Sequence, residues 1–219
     1  MGLNLKLLST AALSVASLAA NATITSIGQF SGSISETFES FPNYITGPTF
    51  QPEPWNVFGG AAQFNSLNQD LAVYEPSQGA SFGLGTSGPA QVSDGTKAMG
   101  MNSESLWTLT FNADQSQVGA FWGLATQTGG GPETATVSFF DAGNTLVGQT
   151  TFMYDHSGPV DGALDWNGWS SDVAFRSISV RARFTVVDGM QAGAVPEPAS
   201  IAVLGFGALA LIRRRRTSK

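Results

Sequence analysis

The sequence predicts an all-β protein whose body is a single two-layer antiparallel sandwich. Two observations lead to this fold class. Between residues 23 and 194, apolar and polar residues alternate within short segments, and clusters of Gly, Ser, Thr and Asn separate those segments. The same part of the chain has hardly any segment with the periodicity of an amphipathic helix. About ten short strands with one polar face each fit two packed sheets.

The predicted strands each have one apolar face, because alternate side chains of a strand point to opposite sides of the sheet. The clearest apolar faces consist of Trp107, Leu109 and Phe111; Val118, Ala120 and Trp122; Ala135, Val137 and Phe139; and Ile178, Val180, Ala182 and Phe184. Residues 141–144 predict a hairpin in which Gly143 takes the left-handed backbone position. The alternation ends near residue 187, so we place the sandwich at 23–187 and a linker at 188–194.

The N-terminus has the features of a secretory signal peptide, which we place at residues 1–22. Lys6 supplies a positive charge, and residues 7–20 are apolar or small. Ala20 and Ala22 fit the small-residue pattern of a cleavage site, which makes Thr23 the first mature residue. Cleavage after Ala20 is the alternative.

The body of the chain is strongly acidic. Only four basic residues lie between Thr23 and Ile212, against all sixteen carboxylates, which gives this stretch a formal charge of −12; they are Lys97, Arg176, Arg181 and Arg183. A body without a basic patch cannot neutralise phosphates, so no nucleic acid partner is expected. The charge is compatible with divalent cations and neutral sugars.

The chain contains no cysteine. An exported domain without disulfides must be held together by burial of apolar surface, and a body of about 170 residues is large enough for that. Thiol chemistry, zinc-thiolate sites and covalent haem attachment are excluded.

The C-terminal residues 195–219 differ sharply from the body. The triplet Pro196, Glu197 and Pro198 precedes fourteen uncharged residues at 199–212, and four arginines follow. A helix over 199–212 is about 21 Å long, against about 30 Å of bilayer hydrocarbon, so it spans a membrane only if flanking residues contribute. The arginines are expected to stop translocation and to stay cytoplasmic; they are Arg213, Arg214, Arg215 and Arg216.

This order of elements resembles the PEP-CTERM sorting signal, whose motif here consists of Val195, Pro196, Glu197 and Pro198. The resemblance implies an exported protein of a Gram-negative bacterium, held at the inner membrane by the helix 199–212. It also implies an exosortase-type transpeptidase as a partner, which removes the tail, and an association with exopolysaccharide. The alternative is an ordinary single-pass membrane anchor. A second Pro-Glu-Pro triplet at 52–54 lacks the apolar run and the arginines, so position decides the role.

The body also resembles the jelly-roll domains that commonly precede such tails, through "ETFESFP", "LTFNADQSQVGAFWG", "ATVSFFDAGNTLVG" and "ISVRARFTVVDG". This resemblance implies a structural calcium ion bound by Glu36 or Glu39 together with Asp188. A second candidate calcium cluster consists of Asp161, Asp165 and Asn167, because oxygen side chains at turns are the ligands that calcium prefers. Solvated turn acids are the alternative for both clusters.

Two further residue groups have side chains that occur in binding or catalytic sites. Trp166 and Trp169 form a candidate sugar platform, because aromatic rings stack on pyranose faces, but the alternative is that they fill the core. His156 is the only histidine, and its neighbours Asp155 and Ser157 do not make a catalytic triad, whose members converge from separate elements. No hydrolase motif is present, so no catalytic residues are predicted.

The sequence therefore predicts a non-enzymatic, exported cell-surface or extracellular-matrix protein with a removable sorting tail and with polysaccharide as a candidate ligand. The alternative is a secreted glycan-active enzyme whose site is too dispersed to recognise in one sequence.

Overall fold

The computed structural model describes residues 22–42, 53–75, 91–101, 104–124, 132–155 and 163–194. The predicted signal peptide up to residue 21 and the predicted tail from residue 195 lie outside these ranges. So do His156 and Asp161. Within the described ranges, no helix is long and apolar enough to cross a membrane.

Eleven strands and one short 3-10 turn, Phe58–Gly60, make up the regular structure of these ranges. The strands are β1 (Ile24–Ile27), β2 (Ile34–Glu36), β3 (Trp55–Val57), β4 (Ala62–Ser66), β5 (Leu71–Tyr74), β6 (Ala98–Met101), β7 (Glu104–Leu124), β8 (Glu133–Phe140), β9 (Leu146–Tyr154), β10 (Asp165–Arg183) and β11 (Thr185–Gly193). All strand pairs are antiparallel.

The two long strands, β7 and β10, each take part in two ladders. Residues 104–110 of β7 pair with 177–183 of β10, and residues 117–122 of β7 pair with 165–170 of β10. Register shifts between Ser170 and Ser177 separate the two ladders. Such irregularities bend the strands, so the continuous hydrogen-bonded sheet divides into two layers.

The layer that contains the first half of β7 is here called the front sheet, with the strand order β3-β4-β7-β10-β8-β9. The other layer, the back sheet, has the order β5-β6-β11-β7-β10-β1. The strand β2 also pairs with β11. It lies on the same edge of β11 as β6, but β6 pairs with residues 186–187 and β2 with residues 190–192.

One aromatic pair demonstrates that β7 folds back over itself. Trp107 and Trp122 lie fifteen positions apart, which is about 50 Å along an extended strand. Their rings nevertheless stack with centroids 5.6 Å apart and an interplanar angle of 13°. The bend between them is held by Arg176, whose Nε donates to Asp114 Oδ1 at 2.8 Å and whose Nη1 donates to the carbonyl oxygen of Asn112 at 3.2 Å. The two halves of β7 therefore face each other across the core.

The core between the sheets is rich in aromatic side chains. Phe152 of the front sheet packs against Trp122 and Trp169 of the back sheet, with ring centroids 4.9 and 5.0 Å away. Burying an aromatic side chain removes 150–250 Å² from water, about 4–6 kcal/mol of transfer free energy each. This burial explains how the body holds together without disulfides.

The structure confirms the predicted all-β, antiparallel, jelly-roll-like sandwich. The predicted apolar faces are buried, except that Phe184 is only partly buried. The hairpin between β8 and β9 is also present, but its left-handed residue is Asn144, with φ of 60°, and not Gly143. The Asp141 carboxylate supports this turn, because its Oδ1 accepts hydrogen bonds from the backbone N–H groups of Gly143 and Thr145 at 2.8 Å each.

The linker predicted at 188–194 is wrong up to Gly193. Those residues belong to β11, which lies between β7 and β6 in the interior of the back sheet. The strand is buried almost throughout, so its sequence does not alternate. A bulge with Gly189 at φ of 55° interrupts its register with β7. The body thus extends to Gly193.

Candidate functional site

The outer face of the front sheet carries a shallow groove lined by polar side chains. One part has a volume of about 290 Å³. We call it, together with its continuation, the polar groove; the first part is lined by Leu106, Thr136, Ser138, Gln149, Ser179 and Arg181. The continuation, of about 230 Å³, shares Thr136 and Arg181 and extends to Glu133 and Arg183.

Strand register places the groove residues side by side. Ser179 of β10 lies between Thr108 of β7 and Ser138 of β8. The row continues to Asn65 of β4 on one side and to Gln149 of β9 on the other. Five strands thus present an uncharged hydrogen-bonding row about 19 Å long, at about 4.8 Å per strand.

The same register explains why these side chains face outward. Their neighbours along the strands, Val137 and Val180, are fully buried in the core. Alternation then directs Ser138, Ser179 and Arg181 to the opposite, solvent-facing side. The amide Nε2 of Gln149 donates to the hydroxyl of Ser138 at 3.1 Å, which links two strands across the groove.

The candidate sugar platform is not formed as predicted. Trp169 is only 3% exposed and packs in the core against Trp122 and Phe152, so it cannot stack on a ligand. Trp166 is half-buried and lies on the other side of the back sheet, against Phe121. The alternation of β10 separates the two tryptophans onto opposite faces, although they are only three residues apart, because the register puts Trp166 opposite Phe121 and Trp169 opposite Val118.

The position of Trp166 depends on two glycines. A Cβ atom at Gly119 would lie 2.5 Å from Trp166 Cζ2, and one at Gly168 would lie 2.9 Å from Trp166 Nε1. Phe30 packs edge-on against the same indole, with ring centroids 5.7 Å apart. The indole N–H donates to the carbonyl oxygen of Ile27 at 3.2 Å. The ring is thus fixed to the outer surface of the back sheet.

Each of the three carboxylates predicted to bind calcium accepts hydrogen bonds from backbone N–H groups. Glu36 is buried, and its two oxygens accept from the backbone nitrogens of Phe38 and Phe58 at 2.7 Å each. Its role in the structure is therefore to connect the chain after β2 to the 3-10 turn.

Glu39 and Asp188 hold the segment 93–97 from two sides. Asp188 is fully buried, and its Oδ2 accepts from Ser93 N, Ser93 Oγ and Asp94 N at 2.7, 3.0 and 2.8 Å. Glu39 accepts from the backbone nitrogens of Thr96 and Lys97 at 2.7 and 2.8 Å. The segment is thereby attached both to the chain after β2 and to β11.

The environments of these two carboxyl groups move their pKa values in opposite directions. Burial raises the pKa of Asp188 above its ordinary value of 3.8, against the lowering effect of its N–H and O–H donors. At Glu39 burial also acts to raise the pKa, but the hydrogen bonds from Thr96 and Lys97 outweigh it, so the pKa lies below 4.5. Burial, reinforced by the charge of Asp188, raises the pKa of Tyr74.

No group of three His, Cys, Asp or Glu side chains within the described ranges is arranged to hold a metal ion. Glu36, Glu39 and Asp188 are therefore not gathered into one ligand set, and structural calcium stays a prediction. Of the second candidate cluster, Asp165 and Asn167 lie at the start of β10, whereas Asp161 falls outside the described ranges.

The second Pro-Glu-Pro triplet has a structural role in the body. The Glu53 carboxylate accepts hydrogen bonds from the backbone N–H and the hydroxyl of Ser66, and from the backbone N–H of Leu71 at 3.2 Å. It thereby joins the end of β4 to the start of β5, which agrees with the absence of any sorting elements after it.

Sequence reasoning missed the polar groove. From the sequence alone, Thr136, Ser138, Ser179 and Arg181 are only polar residues that alternate with apolar ones in two predicted strands. Their pattern is common to any half-buried strand, and only the pairing of β10 with β7 and β8 shows that they share one surface.

Solved structures with some similarity to the chain include three domains. A cleaved adhesin domain of Lys-gingipain is 13% identical in sequence, with a TM-score of 0.45. The matched region covers 74% of this chain and 97% of the adhesin domain. A xylan-binding domain from Paenibacillus barcinonensis is 11% identical, with a TM-score of 0.40. The matched region covers 77% of this chain and 100% of that domain. A DUF4465 family protein from Bacteroides caccae is 11% identical, with a TM-score of 0.42. The matched region covers 71% of this chain and 98% of that protein. No curated protein matches the sequence.

The tail gives a specific match. The family described as the PEP-CTERM protein-sorting motif matches residues 194–216, which begin directly after the last residue of β11. This range includes Val195, Pro196, Glu197, Pro198 and the four arginines 213–216. Such a motif marks an exported protein that is sorted to the cell surface and processed by an exosortase. The chain is therefore an exported protein with an all-β body that carries a PEP-CTERM sorting motif at residues 194–216.

Proposed function

We propose that this is a non-enzymatic protein of the cell surface or extracellular matrix, and that its body binds polysaccharide in the polar groove. The observation that carries the proposal is the row of uncharged hydrogen-bonding side chains across five strands. It consists of Asn65, Thr108, Ser179, Ser138 and Gln149.

The chemistry of this row suits a sugar polymer. Hydroxyl and amide side chains both donate and accept hydrogen bonds, as sugar hydroxyls do. Protein interfaces depend instead on an apolar centre with large anchors such as Trp or Tyr. Among the described residues that line the first part of the groove, Leu106 is the only strongly apolar side chain. The row also extends along the sheet rather than into it, so it favours a chain over a compact small molecule.

The proposal includes the route by which the body reaches the surface. The helix 199–212 holds the exported chain in the inner membrane, and the arginines at 213–216 keep its end in the cytoplasm. An exosortase-type transpeptidase then acts near Pro196, Glu197 and Pro198. The PEP-CTERM match supports this sequence of events.

The groove is tested by a pair of isosteric substitutions in the purified full-length chain. Thr136 lines both parts of the groove, so Thr136→Val removes a hydroxyl there while keeping the side-chain shape. Thr25→Val makes the same change on the exposed face of β1, in the other sheet. Binding to a panel of soluble polysaccharides is measured by affinity electrophoresis.

We expect Thr136→Val to weaken binding roughly two- to tenfold, the value of one hydrogen bond, and Thr25→Val to leave it unchanged. If no polysaccharide in the panel retards the wild-type chain, the groove is not a polysaccharide site. The same conclusion follows if Thr136→Val binds polysaccharide as tightly as the Thr25→Val control.

A further inference from the structure

We propose that the polar groove selects acidic polysaccharides, whose carboxylate groups pair with the guanidinium group of Arg181. This inference rests on the proposed function, because it names the class of polysaccharide that the same groove takes.

Positive charge is scarce in the body. Of its four basic side chains, two are engaged far from the groove. Lys97 Nζ donates to the carbonyl oxygens of Glu39 and Phe41 at 2.8 Å each. Arg176 pairs with Asp114 through an Nη2–Oδ1 contact of 2.7 Å at the bend of β7. Neither is available to a ligand at the front sheet.

The other two basic side chains, Arg181 and Arg183, both line the polar groove. Arg183 has partners: its Nη1 lies 3.9 Å from Glu133 Oε1, and its guanidinium group lies 5.3 Å from the centre of the Phe184 ring. The positive charge of Arg183 is therefore partly compensated by the carboxylate of Glu133.

Arg181 occupies a different row. Its cross-strand neighbours are Leu106 of β7 and Thr136 of β8, and Thr151 of β9 continues the row. No member of this row carries a negative charge. Within the ranges that the structure describes, the guanidinium group of Arg181 forms neither a hydrogen bond nor an ion pair, and its side chain is exposed. Its five N–H donors are therefore open to a ligand in the groove.

An uncompensated guanidinium group beside hydroxyl and amide side chains matches one ligand chemistry. A guanidinium group binds a carboxylate through two parallel hydrogen bonds, which are stronger than those between neutral groups. The hydroxyl groups of Ser138 and Ser179, one row away, can bond the hydroxyls of the same polymer. A polymer that contains uronic acid residues supplies both carboxylates and hydroxyl groups.

The charge of the rest of the body favours a polymer with at most one carboxylate per sugar over a more densely charged, sulfated polyanion. The sixteen carboxylates between 23 and 212 repel a heavily sulfated chain that contacts a large surface. At physiological ionic strength they are screened beyond about 8 Å, so one local ion pair at Arg181 can still form.

The test uses the purified full-length chain and polymers that differ only in charge. The probes are polygalacturonate, alginate and hyaluronan, each beside a form whose carboxyl groups have been reduced to neutral alcohols. The variants are Arg181→Gln and, as a charge-matched control, Arg176→Gln. Affinity electrophoresis gives the dissociation constants, and circular dichroism checks that both variants fold.

We expect at least one acidic polymer to bind more tightly than its reduced form. Arg181→Gln should weaken that binding roughly tenfold or more, the loss of one charge-assisted contact, and should leave binding to the reduced form unchanged. Arg176→Gln should bind like the wild type.

Two results separate this inference from the proposed function. If reduced and acidic polymers bind equally well, or if Arg181→Gln binds acidic polymers like the wild type, selection by Arg181 is wrong while polysaccharide binding stands. If no polymer binds in either form, polysaccharide binding itself is wrong, and the inference falls with it.

Discussion

The two stacked tryptophans of the core differ in one hydrogen bond. The indole N–H of Trp122 donates to the carbonyl oxygen of Asn167 at 3.1 Å. The indole N–H of Trp107 is buried and has no acceptor within the described ranges. Both side chains are at most 1% exposed, so their apolar burial is alike. A buried donor without an acceptor forfeits its hydrogen bonds to water on folding, at a cost of about 1–3 kcal/mol.

This difference predicts unequal effects for the same substitution. Trp122→Phe should lower the free energy of unfolding by about 1 kcal/mol more than Trp107→Phe, because only the former deprives a carbonyl of its donor. Trp107→Phe instead removes an unsatisfied N–H, which offsets part of the lost packing. Urea unfolding of the two variants, followed by circular dichroism, measures the difference. Equal losses, or a larger loss for Trp107→Phe, would contradict this account of the core.

At the scale of elements, the hairpin between β8 and β9 shows how a turn is built from side-chain chemistry. Asn144 has φ of 60°, a region in which Asn is tolerated better than most residues with a Cβ atom. Its backbone N–H donates to the carbonyl oxygen of Asp141 at 3.0 Å, and the backbone N–H of Asp141 donates to the carbonyl oxygen of Thr145 at 3.0 Å. The turn therefore closes without requiring glycine at its left-handed position.

We expect Asn144→Ala to destabilise the protein by roughly 1 kcal/mol, because alanine is strained at this φ. Asn144→Gly should change stability by less than about 0.5 kcal/mol, since glycine adopts this φ without strain. Thermal unfolding of both variants provides the comparison. A smaller loss for the alanine variant than for the glycine variant would mean that the backbone conformation of Asn144 is not what limits the turn.

The turn also illustrates what sequence can predict. Alternation located the strands on both sides, and Asp, Gly and Asn located the turn between them. The left-handed position was assigned to Gly143 because glycine is the usual residue there, but the sequence contains no information on how Asp141 closes the loop. Similarly, residues 188–193 of β11 resemble a linker in the sequence, because a strand buried on both faces does not alternate.

The candidate site was less predictable than the fold for a related reason. Trp166 and Trp169 were grouped because they are close in sequence, yet the pleat of β10 separates them. Ser138 and Ser179 were not grouped, because forty-one positions separate them and only strand pairing brings them together. Alternation determines which face of a strand is wet, whereas a binding surface depends on which strands are neighbours.

At the scale of the whole molecule, an acidic body is followed by a cationic end. The four arginines at 213–216 and Lys219 stand apart from the body, residues 23–194, whose four basic residues and fifteen carboxylates give a formal charge of −11. Each arginine at the centre of a bilayer costs about 3 kcal/mol, so the cluster opposes passage through the membrane. The glutamate of the triplet lies on the other side of the apolar run, so the two charged features can be separated by mutation.

We expect Glu197→Ala to leave membrane insertion intact and to block removal of the tail, since the apolar run is unchanged. Replacing all four arginines with serine should release unprocessed full-length protein from the inner membrane, while replacing them with lysine should not. The intact mass of the membrane and surface fractions, from a host with an exosortase, distinguishes these forms. A wild-type surface form that still contains residues 199–219 would identify the tail as an ordinary anchor.

The position of β11 makes the last strand of the body the one that completes the back sheet. This strand forms hydrogen bonds with β7 on one edge and with β6 and β2 on the other, and the sorting motif begins one residue after it. The back sheet therefore cannot close along its middle before residue 193 is free to pair with both neighbours. On the proposed route, in which the tail holds the exported chain in the membrane, this residue is the last of the body to emerge. We therefore expect closure of the sandwich to fall in the same short interval as arrest of the chain, so that the sorting enzyme meets a body that has only just become able to fold.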